Sequence, residues 1–287
     1  MFELIYRFDP AGAEVPRMPQ SAEEARLLLM RGNSDFARMT DSRTREMKSC
    51  VIPFDPRAFG WGALDDQAPI QAPFAAILGC ADARVPTEMI FTKGCNELFV
   101  VRVAGNVLGQ ECLGSLRYAV MHFPKTLKLL VVLAHAKCGA VTEAVEIYLQ
   151  PSRYMEIATN YPLRAIEDQI LIAVRAAAMA IEVIYGYDVL KRPGSRAALL
   201  EAAVILNAAW SAYCLRQEFR QDFPNLGVAF GAYDLLSRCV RLPLSLPGQI
   251  TDEEVGLFAP PEDVDGFREL AHRICRGSLI RGLLGVD

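Results

Sequence analysis

The stretch that decides the fold reads Phe74-Ala-Ala-Ile-Leu-Gly-Cys80-Ala-Asp82-Ala-Arg84, an apolar run that ends in a cysteine, an aspartate and an arginine. A second stretch has the same design, because Leu129-Leu-Val-Val-Leu-Ala precedes His135-Ala-Lys-Cys138-Gly139. Near-continuous apolar runs are typical of strands buried in a parallel sheet. Each motif therefore begins where a predicted strand ends, which is where open α/β sheets place their sites.

The two motifs offer a metal ion two thiolates and one imidazole, from Cys80, Cys138 and His135. His-x-x-Cys alone is a common spacing, and such a pair more often fills a core than binds a metal. Cys80, followed by Asp82 and Arg84, changes that balance toward metal binding. Three sulfur and nitrogen ligands leave the fourth corner of a zinc tetrahedron open, which is the catalytic arrangement. The first hypothesis is therefore an enzyme that uses Zn²⁺.

The remaining pattern predicts an α/β fold with a mostly parallel central sheet flanked by helices. Further predicted elements are a strand at 98–101, a helix at 112–121, two helical blocks at 163–185 and 196–219, and a strand at 226–230. A helix from Gly139 or Ala140 would aim its first amides at the metal pocket. Near the start, Ser21 and Glu24 form a capping box for a helix that Gly32 can end.

The chain divides into a zinc domain at 1–241, which includes an N-terminal arm at 1–49, and a C-terminal extension at 242–287. Residues 1–20 show little periodicity, and prolines and glycines predict a loop at 50–73. The extension is expected to pack on the domain or at a subunit contact. Its segment 267–284 predicts one amphipathic helix with four arginines, either docked on the body or in contact with a partner or membrane surface.

Composition excludes several classes of protein. The 287 residues are 52% hydrophobic, enough for a large core, and the net charge of −4 without a basic run argues against nucleic-acid binding. The longest apolar stretch, 169–187, is too short and too charged to span a membrane.

The N-terminus lacks the pattern of a signal peptide, so we expect a cytoplasmic protein. The six other cysteines are then best interpreted as small apolar side chains.

Together the two motifs resemble the β-class carbonic anhydrases, in which Cys-x-Asp-x-Arg and a later His-x-x-Cys-Gly supply the zinc ligands and an aspartate–arginine pair. Other parts of the chain agree with that family, and the resemblance covers roughly residues 20–241 but not the extension. The agreeing stretches are Ser21 to Phe36, Gln71 to Pro73, Glu97 to Asn106, Ser115 to Val120 and Val228 to Asp234.

The resemblance implies reversible hydration of carbon dioxide to bicarbonate and a proton by zinc-bound hydroxide. Cys80, His135 and Cys138 would be the ligands, with Asp82 and Arg84 as catalytic residues. The implied substrate pocket comprises Gln71, Phe99, Ala104, Tyr118 and Gly139. Because the family's sites lie at subunit contacts, the resemblance also implies a homodimer or a larger assembly of dimers.

Three positions depart from the family, since many members have serine, asparagine and glycine where this chain has Ala83, Val103 and Ala134. Each change removes a polar group or adds a methyl group. Hydrolysis of carbonyl sulfide or carbon disulfide is therefore an alternative activity. A catalytically weak zinc-binding regulatory homologue is another, with the extension as its contact surface. The sequence also leaves open whether Asp82 itself binds the metal, and which group exports the proton.

Overall fold

The structure is a computed structural model that describes residues 2–8, 18–39, 48–61, 68–246 and 248–286. Its strands are β1 (Phe2–Arg7), β2 (Lys48–Pro53), β3 (Ala75–Cys80), β4 (Leu98–Val103), β5 (Leu129–His135), β6 (Gly227–Tyr233) and β7 (Val240–Arg241). Its helices are α1 (Ala22–Met39), α2 (Thr87–Ile90), α3 (Gln110–His122), α4 (Gly139–Leu149), α5 (Tyr154–Ile157), α6 (Tyr161–Tyr185), α7 (Ser195–Phe219), α8 (Val264–Cys275) and α9 (Ser278–Leu284).

Five strands form the central sheet in the order β4-β3-β5-β6-β7. The first four are parallel, and only the short β7 pairs antiparallel, with β6. Every residue of β3 and β5 is buried, in keeping with the continuous apolar runs of their sequences. The predicted α/β class with a mostly parallel sheet is therefore confirmed.

Helices cover both faces of the sheet, and alternate residues of each strand point to opposite layers. In β3, Ala76 and Leu78 belong to the core formed with α3, α4, α6 and α7. Their neighbours Ala75 and Ile77 belong to a second core, which includes Leu29 of α1. This layering leaves the carboxyl ends of the parallel strands together at one edge of the sheet.

The N-terminal region is more regular than its sequence predicts. β1 and β2 pair in parallel as a separate two-stranded sheet, so part of the expected N-terminal arm is a strand, and the loop predicted at 50–73 is wrong for the residues of β2. The pairing joins segments more than 40 positions apart, and propensity alone does not reveal such a partner. Residues 9–17, 40–47 and 62–67, which belong to the expected arm and loop, lie outside the described residues.

The first long helix begins as predicted but does not end at Gly32. The Ser21 hydroxyl accepts a hydrogen bond from the Glu24 amide, while the Glu24 carboxylate bonds the Gln20 amide. The helix continues through Gly32 to Met39. A Cβ atom on Gly32 would lie 1.8 Å from the carbonyl oxygen of Phe91, so the glycine serves close packing rather than helix termination.

The extension packs on the helical layer of the domain. The predicted single helix at 267–284 is instead two helices, α8 and α9, broken at Gly277. A Cβ atom on Gly277 would lie 2.5 Å from the carbonyl oxygen of Leu244. Phe267, Ile274 and Ile280 are buried in the core. The four arginines are exposed, which is the pattern of a docked amphipathic pair. The domain boundary at 241/242 stays a prediction.

Among the helices of the described residues, α7 is long and apolar enough to cross a membrane by length and composition. However, 72% of its most apolar window is buried inside the protein, as is usual for the central helix of a folded core.

Replacing Gly32 by alanine should destabilise the fold, since the new methyl group would overlap the Phe91 carbonyl. We expect a loss of about 2 kcal/mol in the free energy of unfolding, measured by denaturant titration. Gly114→Ala is the matched control, because this helical glycine has no atom within 4 Å of a built Cβ. That variant should gain up to about 1 kcal/mol. Equal effects of both substitutions would contradict the packing role of Gly32.

Candidate active site

Three predicted metal donors meet at the carboxyl edge of the sheet. Cys80 ends β3, His135 ends the neighbouring β5, and Cys138 directly precedes α4. All three side chains are buried, and their donor atoms lie within 4.8 Å of one another. These three residues form a group that could hold a metal ion.

The sulfur geometry fits a zinc ion. The Sγ atoms of Cys80 and Cys138 are 3.8 Å apart. Two zinc–sulfur bonds of about 2.3 Å at a tetrahedral angle place the sulfur atoms about 3.8 Å apart. A disulfide would need about 2.05 Å, so the two cysteines are held at metal-binding rather than covalent distance.

The imidazole of His135 is oriented for the same purpose. Its Nδ1 lies 3.0 Å from the carbonyl oxygen of Ala136, and this contact assigns the ring proton to Nδ1. Nε2 is left as a buried acceptor, and no group among the described residues makes a hydrogen bond with it. Burying such an atom unpaired is costly, and a metal ion would satisfy it. The donor set therefore fits Zn²⁺.

The contact between the two thiols shifts their pKa values in opposite directions. A hydrogen bond from Cys138 lowers the pKa of Cys80 to about 4, while the same contact, together with burial, raises the pKa of Cys138. The second thiol resists ionisation because a second thiolate would face the first. A divalent cation between them removes this repulsion. The amides of Ala140 and Val141, at the start of α4, act in the opposite direction and lower the pKa of Cys138.

Asp82 and Arg84 form a two-pronged ion pair beside the three donors. Arg84 Nε lies 2.9 Å from Oδ1 and Nη2 lies 2.5 Å from Oδ2, while the Arg84 amide also donates to Oδ1. These bonds hold the pKa of Asp82 well below its usual range. Its Oδ2 is 3.7 Å from His135 Nε2. Asp82 is thus ionised, fixed in direction and adjacent to the metal-binding pocket.

Arg102 is a structural part of the site that sequence analysis did not identify as functional. Its guanidinium donates to the carbonyl oxygens of Cys80, at 2.9 Å, and Asp82, at 2.5 Å. It thereby clamps the backbone that carries one donor and the acidic residue. A charged residue near the end of an otherwise apolar strand run was the available signal.

The predicted pocket residues separate into two groups. Ala104 follows β4, whose last residue Val103 lies opposite Cys80, and Gly139 begins α4 directly after Cys138. These two residues lie at the metal-binding edge.

The other three predicted pocket residues are distant from that edge within one chain. Phe99 pairs with Ala76, four strand positions or about 13 Å before Cys80. Tyr118 clusters with it around Phe123, at ring-centroid distances of 6.1 and 6.2 Å. Gln71 is exposed ahead of β3. The chain by itself does not bring these side chains to the donors.

Comparison with known proteins identifies the segment that holds the site. A family described as Carbonic anhydrase matches residues 75–181. This segment includes Cys80, Asp82, Arg84, His135 and Cys138, so the similarity to the carbonic anhydrase family lies where the candidate site lies. The resemblance predicted from the two motifs is confirmed.

Two curated relatives show the same local similarity. The chain is 49% identical over 75 residues to carbonic anhydrase 2 of Mycobacterium tuberculosis, covering 26% of this chain and 35% of that protein. It is 46% identical over 71 residues to the carbonic anhydrase of Mycolicibacterium smegmatis, covering 25% and 34%. The chain thus spans about a third of the length of the curated relatives that it matches.

Solved structures give a more distant likeness. A tetrameric β-carbonic anhydrase from Sordaria macrospora is 19% identical with a TM-score of 0.47, covering 60% of this chain and 81% of that chain. The β-carbonic anhydrase CafA of Aspergillus fumigatus is 20% identical with a TM-score of 0.44, covering 72% and 84%. Likenesses of this size support no conclusion about activity or assembly.

Replacing Cys138 by serine should lower the zinc content, measured by metal analysis, well below one ion per chain. A serine hydroxyl cannot supply the thiolate that the metal prefers. Cys112→Ser is the matched control, because this half-buried thiol of α3 lies outside the donor group and should retain zinc. Full zinc occupancy in Cys138→Ser would remove this residue from the ligand set.

Proposed function

We propose that this protein catalyses the reversible hydration of carbon dioxide to bicarbonate and a proton, with Zn²⁺ held by Cys80, His135 and Cys138. One observation carries the proposal: a buried Cys₂His donor set lies beside a carboxylate that an arginine keeps ionised. The matched family segment supports the same activity. Neither alternative activity has a specific observation in its favour.

The proposed mechanism assigns different work to the metal and to the protein. Zn²⁺ in this donor set would supply Lewis-acid activation of a water molecule near neutral pH. Arg84 keeps Asp82 deprotonated, so its Oδ2 can accept a hydrogen bond from the attacking water and orient it. Arg102 holds the backbone carbonyls of Cys80 and Asp82, which limits movement of that carboxylate.

The first test is stopped-flow hydration of carbon dioxide on protein of measured zinc content. Fast hydration that depends on zinc would support the proposal. Fully zinc-loaded protein without hydration, from neutral to mildly alkaline pH, would refute it. Carbonyl sulfide and carbon disulfide should then be tested as substrates.

Asp82→Asn should keep its zinc but lose at least about 100-fold in hydration rate. The neutral amide accepts a hydrogen bond from the attacking water more weakly than the carboxylate does. Asp55→Asn is a close control, since Asp55 makes the same backbone and two-pronged bonds with Arg57 outside the metal donor group. That control should keep full activity. A fast, zinc-loaded Asp82→Asn enzyme would show that the carboxylate is not required.

We further propose a homodimer formed across the β4 edge. This edge strand is only partly buried, unlike the fully buried β3 and β5. Beside it, α3 exposes Tyr118 and Met121, by 48% and 59%. A second copy packed here in the opposite direction would bring Gln71, Phe99 and Tyr118 of one subunit toward the metal-binding edge of the other. The proposed substrate pocket is then completed by two chains. A cytoplasmic location stays a prediction from sequence.

Met121→Glu should shift the protein toward monomers in sedimentation experiments and lower hydration activity, since the interface would bury a carboxylate. Met155→Glu, at a residue 73% exposed on the separate helix α5, is the control and should change neither property. A dimeric and fully active Met121→Glu variant would contradict an interface at this edge.

A further inference from the structure

A cavity of about 560 Å³ lies directly behind the metal-binding loop. Ala136 and Lys137, the two residues between His135 and Cys138, form part of its wall. Arg84 lines it as well, and none of the three metal donors does. The cavity therefore adjoins the proposed active site but is a separate space.

Four cationic side chains line this cavity, namely Arg84, Lys137, Arg238 and Arg241. Two acidic residues, Asp234 and Glu201, line it too. Arg84 is already paired with Asp82, and Arg241 with Asp234 and Glu254, so Arg238 and Lys137 are the cations of the lining without an ion pair among the described residues. Burial, and then the charge of Asp234, raise the pKa of Glu201.

Part of this positive charge lacks a hydrogen-bonding partner. The Nε of Arg238 is buried without a hydrogen bond among the described residues. Arg241 is different, because its Nη2 and Nε lie 3.0 and 3.1 Å from Asp234 and its Nη1 lies 3.6 Å from a carboxylate oxygen of Glu254. Guanidinium donors inside a protein are normally satisfied, so the unpartnered side chain of Arg238 in the cavity wall indicates a missing acceptor.

The rest of the lining is mainly apolar and comes from several elements. It includes Val204 of α7, Leu235 and Leu236 of the hairpin after β6, and Leu279 of α9. Cavities of roughly 300–1,000 Å³ with apolar walls and a few converging polar groups are typical of small-molecule sites. The combination selects a ligand that has both an anionic end and an apolar body.

We infer that this cavity binds a small organic carboxylate, with its carboxylate against Arg238 and its apolar body against Val204 and Leu279. A carboxylate is a planar acceptor that matches guanidinium donors. A phosphate dianion fits less well, because Asp234 stands in the same wall. An inorganic anion would leave the apolar walls without contacts. This inference is independent of the proposed function.

The test is a binding titration of the zinc-loaded protein with 2-naphthoate, followed by calorimetry. Two partial probes accompany it: 2-naphthamide lacks the charge, and acetate lacks the apolar body. Arg238→Asn removes the guanidinium while tolerating the left-handed backbone at this position, where φ is 63°. The backbone amide and carbonyl of residue 238, which bond Asp234 and Asn33, remain available. Val204→Phe fills the apolar part instead, and Arg220→Asn, at an exposed position, is the charge-matched control.

We expect saturable binding of 2-naphthoate and at least tenfold weaker binding of both partial probes. Arg238→Asn should weaken 2-naphthoate binding by about 10-fold or more, as for loss of a charge-assisted hydrogen bond. Val204→Phe should weaken it too, while Arg220→Asn should not. Absence of saturable binding would overturn the inference. So would naphthoate affinity unchanged in both cavity variants, since the anion would then occupy the metal site or another surface.

Discussion

β3 and β5 pair in parallel with Gly79 opposite Leu133, so Cys80 and His135 emerge close together where the two strands end. Parallel neighbours end at the same edge, and the polar motif after each strand is delivered there without any long loop. The buried faces of both strands fix this register, because a shift by one residue would turn every apolar side chain to the wrong layer. The donor distances thus depend on the packing of the core.

Helices α6 and α7 pack against the turn that lies beside Cys80. The turn after β4 places Gly105 at a φ of 66°, and its amide bonds the sulfur of Cys80. A Cβ atom there would lie 2.6 Å from Ile170 of α6. The side chain of Asn207, on α7, donates to the Gly105 carbonyl at 2.7 Å in a buried position. α7 lies outside the matched family segment, yet its packing holds the turn that supports a metal donor.

The parallel strands of the central sheet, the helices α6 and α7, and the three candidate metal donors were predictable because each rests on a local pattern. Continuous apolar runs identified β3 and β5, and the residues just past their ends identified Cys80 and His135. Features that depend on distant partners were not predictable. Gly32 is typical of a helix end in sequence, but the Phe91 carbonyl explains it in the fold. Likewise, Arg102 bonds the backbone carbonyls of Cys80, at the end of β3, and of Asp82, in the loop that follows; a charge in an apolar run marks the residue but not these partners.

The Asp82–Arg84 ion pair differs from a similar pair elsewhere in the chain only in its surroundings. Asp55 and Arg57 form the same two-pronged pair with the same backbone bond, and their geometry follows simply from the Asp-x-Arg spacing. What differs is the surroundings: Asp82 stands 3.7 Å from an unpaired imidazole nitrogen and shares its arginine with the cationic cavity. Arg84 therefore lies between two places where negative charge is expected. The guanidinium that fixes Asp82 also lines the cavity, so one side chain is common to the candidate active site and the cavity wall.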